Sequence, residues 1–398
     1  MISVEEALAR VLALAGPCAG EDIPLRRAAG RVLIAPAVAQ LNQPPFNASA
    51  MDGYAIAEAD HLPGRRLTVV GEAGAGHGFS GRLEPTQALR IFTGAPVPQG
   101  ADRVVLQEDV TREGDEIVLG DRLESSIHIR PLGQDFKVGD RLDAPRRLAP
   151  ADLALLAAMN QPQVRVARRP VVAIMATGDE LVMPGESPRP DQIIASNGYA
   201  IAAMAEAAGA EVRMLPLARD TEASLRQGFD LAQGADVVVT IGGASVGDHD
   251  LVGAVARDLG LEMAFWKIAM RPGKPLMAGR LGQAALLGLP GNPVSAIICA
   301  RLFLLPLLER MQGLQGAPHR TARARLGADV AANGPRAHYM RATLTKGDDT
   351  PVITPLPSQD SALLTILVTA NALLIRPVGD AARASGDWVD YLPLSPSD

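Results

Sequence analysis

Four short segments of this 398-residue chain hold residue types and spacings that suit a phosphorylated ligand and a divalent metal. In VVVTIGGASVGDHDLV (237–252), four apolar β-formers run into Gly242, Gly243, Ser245 and Gly247, and Asp248 and Asp250 follow. Glycines at a strand end let backbone N–H groups close on a phosphate. A carboxylate beside that cradle suits Mg²⁺, which takes one or two carboxylates plus phosphate oxygens. Asp250 is assigned to the metal, and Asp248 and His249 to the surface. The competing reading is a bare tight turn. Thr177-Gly178-Asp179-Glu180 leaves an earlier apolar run in the same way, and a turn with a helix cap would also explain it. Between Lys267 and Pro275, three cations (Lys267, Arg271, Lys274) lie in a segment stiffened by Pro272 and Pro275, with Gly273 free to turn sharply. A rigid cationic turn beside carboxylates fits a polyanion held with its metal; a solvated basic turn is the alternative. Gly288–Ser295, GLPGNPVS, offers Gly291 for a positive φ, Asn292 as a helix cap, Pro293 in the first turn and the Ser295 hydroxyl near any bound anion.

These segments need a scaffold, and the pattern from residue 170 supplies one. Strand-like runs (PVVAIMAT, EVRMLPL, DVVVTIGG, LEMAFWKIAM, QAALLGLPG) alternate with helical ones, including NPVSAIICARLFLLPLLERM. Such alternation predicts a doubly wound, mainly parallel sheet that binds ligands at the carboxyl ends of its strands. Residues 1–40 read as helical, with Ser3 and Glu6 as a capping box, and 149–160 as helical again. Between about 54 and 145 lie short β-runs divided by Gly, Pro and Asp, which predict an inserted β domain. The expected parts are 1–43 with 141–169, 44–140, 170–312, and a C-terminal β-rich domain over 318–398. The loop PPFNASAMDGYA (44–55) reads by default as a hinge.

Composition narrows the classes. Hydrophobic residues make up 47% and aromatics 3%, so aliphatic side chains must fill the core. A net charge of −6 argues against a nucleic-acid surface while leaving room for a local basic pocket. The two cysteines, Cys18 and Cys299, form no CxxC pair, which disfavours structural zinc or a disulfide framework and fits the cytoplasm. The acidic first helix is unlike a signal peptide, and the apolar run at 302–308 is too short to span a bilayer.

Taken together, PPFNASAMDGYAI (44–56), RIFTGAPVPQGADRVVLQED (90–109), GQDFKVGD (133–140), MATGDELV (175–182), TIGGASVGDHD (240–250), RPGKP (271–275) and GLPGNPVSA (288–296) closely resemble the molybdopterin molybdotransferases, the molybdenum insertases that include the enzymatic domain of gephyrin. The resemblance implies four domains with a C-terminal β-barrel-like one, and a homodimer whose active site is shared between subunits. It implies insertion of molybdate into adenylylated molybdopterin with Mg²⁺-dependent release of AMP. It carries catalytic roles to Asp52, Asp135, Glu180, Asp220 and Asp250, with Mg²⁺ on Asp250 and Glu180. Substrate contacts fall on Thr93, Gly242, Gly243, Ser245, Gly247, Lys267, Arg271, Lys274, Pro290, Asn292 and Pro293. Molybdate contacts fall on Lys274, Ser295, Arg341 and Ser361. Arg271 stands where many members carry Lys, and DAPRR (143–147) and Met159-Asn160 also depart from the usual pattern. Asn160 can still take the left-handed conformation that ends a helix. An adenylyltransferase of the preceding step, or a non-catalytic carrier that kept the fold, are the alternatives.

Overall fold

The computed structural model describes residues 1–243, 251–316, 321–347 and 349–394. Ser245, Gly247, Asp248, His249 and Asp250 lie outside the described residues. The chain divides into two units, Met1–Glu21 with Ala167–Asp398, and Asp22–Val166.

The larger unit opens with α1 (Val4–Leu12), where the Ser3 hydroxyl accepts the Glu6 N–H at 3.1 Å. Helix does not continue to residue 40 as its pattern suggested. Short strands Gly20–Pro24, Val32–Leu33 and Ala37–Val38 follow instead. Pro17, Pro24 and Pro36 each remove a helical donor, which outweighs the apolar periodicity.

The α/β part is built on β1 (Val171–Ala176), β2 (Glu211–Met214), β3 (Val237–Ile241), β4 (Leu261–Trp266), β5 (Met270–Arg271), β6 (Met277–Leu281) and β7 (Ala284–Leu289). Its sheet order is β2-β1-β3-β7-β6-β4, parallel from β2 to β7 and antiparallel through β6 and β4. Both faces are covered. Val172 and Ile174 point into one core with Ile201 of α2 (Asn197–Ala207), while Ala173 and Met175 point into another. That second core takes Leu225 and Phe229 of α3 (Glu222–Leu231) and Val252 and Val255 of α4 (Leu251–Asp258). Burial on both faces explains why the strands are apolar throughout rather than alternating. The expected C-terminal helix of this part is broken into α5 (Pro293–Cys299), a π turn (Ala300–Leu304) and α6 (Leu305–Met311). Pro306 has no N–H for the Leu302 carbonyl, and the π turn falls just before it.

Strands β8 (Ala322–Leu326), β9 (Ala337–Thr345), β10 (Val352–Pro355), β11 (Ala372–Arg376) and β12 (Trp388–Pro393) close into a five-stranded barrel in the order β9-β10-β8-β12-β11, with β11 returning to β9. The short β5 adds to β9 in parallel. A helix, α7 (Leu364–Thr369), sits between β10 and β11.

In the Asp22–Val166 unit, a six-stranded sheet runs in the order Arg103–Leu106, Gly53–Ile56, Gln87–Ile91, Arg66–Ala73, Glu116–Leu119, Val110–Glu113. A separate core of Leu33, Leu148, Leu156 and Val166 gathers the two segments that flank it, including the helix Pro150–Ala158. Asn160 ends that helix at φ 63°. Among the described residues no helix is long and apolar enough to cross a membrane.

Candidate active site

The carboxyl ends of β1, β3 and β7 lie side by side because each loop is bonded to the next strand end. The Thr177 N–H donates to the Ile241 carbonyl (2.9 Å), and the Gly242 N–H donates to the Leu289 carbonyl (3.1 Å). Close approach demands glycine here. A β-carbon on Gly242 (φ 96°) would stand 2.6 Å from the Thr177 carbonyl oxygen, and one on Gly243 (φ 65°) would enter the Val252 side chain. The loops enclose a cleft of about 1020 Å³ whose lining includes Glu180, Asp220, Gly242, Gly243, Pro290 and Asn292. Backbone amides, carboxylates and a carboxamide thus face one volume large enough for a nucleotide-sized ligand.

Two acids meet in this cleft through an unforeseen clamp. Arg219 donates to the carbonyls of Asp179 (3.0 Å) and Leu181 (3.1 Å), and the Asp220 N–H donates to the Asp179 carboxylate (3.2 Å). Asp220 is thereby held beside the Thr177–Leu181 loop. The Glu180 carboxylate folds back over Gly178, where a β-carbon would collide with it.

The third loop is joined to the barrel. Asn292 precedes α5 with extended backbone, as expected of a cap, but its side chain does not cap. Its amide instead donates to the Ser361 hydroxyl (3.0 Å), and the Val294 N–H donates to the Ser361 carbonyl (3.1 Å). Gly291, expected at positive φ, is not in that region. Its carbonyl accepts from Asn197 (2.7 Å), which pins the loop to α2. Arg341, only 1% exposed, donates to the carbonyls of Asp360 (2.8 Å) and Leu363 (3.4 Å). Gln359 both accepts from the Arg341 N–H and donates to the Arg341 carbonyl, each at 2.9 Å. Arg341 therefore fastens the segment that carries Ser361. Ser295 is buried in the first turn of α5.

The cationic turn is closed by Lys267 N–H to the Leu276 carbonyl (3.0 Å) and Ile268 N–H to the Lys274 carbonyl (3.1 Å). Lys267 sits at φ 72°, with its ammonium 4.3 Å from the centre of the Trp266 ring. A β-carbon on Gly273 would strike Cys299, so the turn rests directly on the end of α5. Pro275 lines the cleft, and Arg271 and Lys274 are exposed. The buried Cys299 thus supports the turn, and burial pushes its thiol well above the usual range.

Asp52, Thr93 and Asp135 belong to the Asp22–Val166 unit. The Thr93 N–H and hydroxyl both donate to one Asp52 oxygen at 2.7 Å. These bonds, the backbone one foremost, hold the Asp52 carboxyl below the usual range, and Arg90 adds its charge. Arg90 lies against both Tyr54 (5.2 Å) and Phe92 (4.6 Å) and donates to the Gly53 carbonyl (3.1 Å). Asp135 is exposed, and its N–H donates to the Gln43 carbonyl.

Three family models match in succession: MoeA N-terminal region (domain I and II) over 2–160, probable molybdopterin binding domain over 173–310, and MoeA C-terminal region (domain IV) over 323–394. The chain is 33% identical to a molybdopterin molybdenumtransferase of Haemophilus influenzae, covering 99% of each chain. The chain belongs to the molybdopterin molybdenumtransferase family. A Bacillus subtilis molybdopterin molybdenumtransferase is 33% identical over 98% of this chain and 94% of its own. A crystal structure of a molybdopterin biosynthesis MoeA protein from Pyrococcus horikosii superposes with a TM-score of 0.84 at 29% identity and full coverage of both chains. The family, its multi-domain α/β-plus-barrel architecture and its transferase class agree with the sequence expectation.

For a Mg²⁺ ion, the cleft of this family member offers hard oxygen donors, the Glu180 and Asp220 carboxylates. Among the described residues no group of three or more potential ligands is preassembled.

Proposed function

We propose that this chain inserts molybdate into adenylylated molybdopterin, releasing AMP and the metallated cofactor. The observation that carries the proposal is the cleft itself: glycine amides at Gly242 and Gly243, carboxylates at Glu180 and Asp220, and a loop tied through Asn292 and Ser361 to the barrel. The substrate's pyrophosphate suits the amides of the glycine loop, with Pro290 and Pro293 on the adjoining loop and Lys267, Arg271 and Lys274 supplying charge. Glu180, with Asp250 by family resemblance, would hold Mg²⁺. Bound Mg²⁺ would neutralise phosphate charge and make phosphorus more electrophilic. Lys274, Ser295, Arg341 and Ser361 are proposed for molybdate, Arg341 acting by fixing the Ser361 segment. Water then cleaves the phosphoanhydride, AMP leaving on one side and the pterin phosphate on the other.

The four-part domain division, a cytoplasmic location and the absence of a nucleic-acid partner belong to the same proposal. So does a homodimer in which Asp52, Thr93 and Asp135 of one subunit complete the cleft of the other. The test is AMP release and active cofactor from adenylylated molybdopterin with Mg²⁺ and molybdate. Turnover that needs molybdate is expected. Synthesis of the adenylate from ATP would instead make this an adenylyltransferase, and binding without release would make it a carrier. Asp52→Ala and Asp250→Ala should each be inactive and regain activity when mixed. No recovery would refute the shared site.

A further inference from the structure

At one end of the barrel three strands carry a row of basic residues that, Arg271 apart, the proposed reaction does not use. Register places Arg271 of β5 and Arg376 of β11 on either side of His338 of β9. Side-chain alternation fixes which way this row faces. Met340 and Ala342 of β9, and Ala372 and Leu374 of β11, pack in the barrel cluster, whereas Tyr339, Leu373 and Ile375 pack toward the α/β core. His338 and Arg376 therefore share the barrel side, and Arg341 lies on the opposite face. Asn333 gathers the ends of these strands by donating to the carbonyls of Arg336 (2.9 Å), Arg376 (3.1 Å) and Pro377 (2.6 Å).

The charges in this row are not balanced. Arg376 is neutralised by Asp380 (2.6 Å), which also binds Arg383. Arg271 and Arg336 have no ion-pair or hydrogen-bonding side-chain partner among the described residues. His338 is 8% exposed, and no hydrogen bond reaches its imidazole from any described residue. The charged groups acting on it are all guanidinium: Arg271 from β5, Arg376 from β11, and Arg336 and Arg341 from its own segment. A largely buried imidazole with no protein hydrogen bond and only guanidinium charges acting on it, two of them unpaired, is a site short of an anion.

We propose that Arg271, Arg336 and His338 form a binding site for a tetrahedral dianion at this end of the barrel, and that His338 takes a proton from solvent as the dianion binds. The site stands whether or not the reaction proposed above is correct. Without an anion, burial and then the Arg271 charge push the imidazole down to about 4, so it is neutral near pH 7. A dianion screens the arginines and rewards the imidazolium, so binding and protonation reinforce each other. Molybdate has the required charge and shape, and the same site would admit sulfate.

The probe is sulfate, which stays a dianion from pH 5 to 8. Histidines are labelled with ¹⁵N, and His338→Gln identifies the His338 signal among six histidines. Saturating sulfate is expected to raise the His338 pKa by at least about one unit, and calorimetry in two buffers to show proton uptake on binding. Between the raised value and the free value of about 4, affinity should tighten by up to about tenfold per pH unit, and His338→Gln should flatten that dependence. Arg336→Gln is the second variant, expected to weaken sulfate at least about tenfold with the melting point unchanged. An unmoved His338 pKa at saturating sulfate overturns the proposal. So does loss of the response in Lys274→Ala, which would put the anion in the cleft. Failure of AMP release in wild type would sink the reaction assignment and leave this result intact.

Discussion

Replacing Gly242 by alanine is the sharpest test of how the cleft is built. The residue sits at φ 96°, where an L side chain is strained, and the added carbon would stand 2.6 Å from the Thr177 carbonyl oxygen and 3.1 Å from the Thr177 hydroxyl. The backbone strain costs about 1–3 kcal/mol, and the crowding adds about 1–3 kcal/mol because the obstacle is main chain that is itself bonded to Ile241. A loss near 3 kcal/mol in a unit of this size lowers the melting temperature by roughly 6–12 °C. Gly291 is the control. It has no positive φ, and its added carbon would meet only the Gly242 Cα at 3.7 Å, an ordinary contact. Gly291→Ala should fall within about 0.5 kcal/mol of wild type, or gain slightly from a less flexible unfolded chain. Scanning calorimetry of the two variants with wild type decides it. A Gly242→Ala transition within about 2 °C of wild type, or equal damage from Gly291→Ala, would refute the close-approach argument.

Other perturbations follow from the same geometry. Gln359→Leu removes the partner of both the Arg341 N–H and carbonyl; it should cost about 2 kcal/mol and raise the apparent KM for molybdate more than it lowers kcat. Thr93→Val deletes one of the two bonds that hold Asp52 ionised, so the acid limb of the kcat/KM profile should move to higher pH; an unmoved limb would separate Asp52 from that ionisation. Asp236 accepts from both Arg168 nitrogens at 2.9 Å and from the Val171 N–H at 2.7 Å. Burial alone would raise its pKa, but these bonds outweigh it and the carboxyl lies below its ordinary value. The unfolded chain therefore binds the proton first as pH falls below about 4. The pair's stabilisation is full above that point and lost as pH drops through the folded value, a loss that Asp236→Asn should abolish in acid-unfolding curves.

Much of the α/β part could be read from the chain because its signals are local. β3 is a run of five apolar or β-branched residues, all buried, followed at once by the glycines that the turn requires. What escaped depends on distant partners. Nothing near Asn197 in sequence points to the Gly291 carbonyl, 94 residues away, and nothing near Cys299 announces that it supports the cationic turn. Nothing near Thr93 in sequence announces that both its donors are directed at Asp52, 41 residues away. The first forty residues misled for a different reason: apolar spacing suggested helix, while prolines removed the donors a helix needs. Gly291 misled because a glycine in a binding loop invites a conformational explanation where none is required.

The π turn at Ala300–Leu304 has a consequence for how this chain tolerates change. It puts an extra residue into an otherwise continuous helix, and each residue turns an α-helix by about 100°. Val294 and Ile298 before it, and Leu307, Leu308 and Met311 after it, all pack in the same core with Leu8 and Val11 of α1. The turn therefore acts as a phase correction between two helical segments that would otherwise face different neighbours. Substitutions within it should be tolerated if they stay apolar. Deleting a single residue there would restore a regular helix while rotating either the loop of Asn292 or the seat of α1 out of alignment.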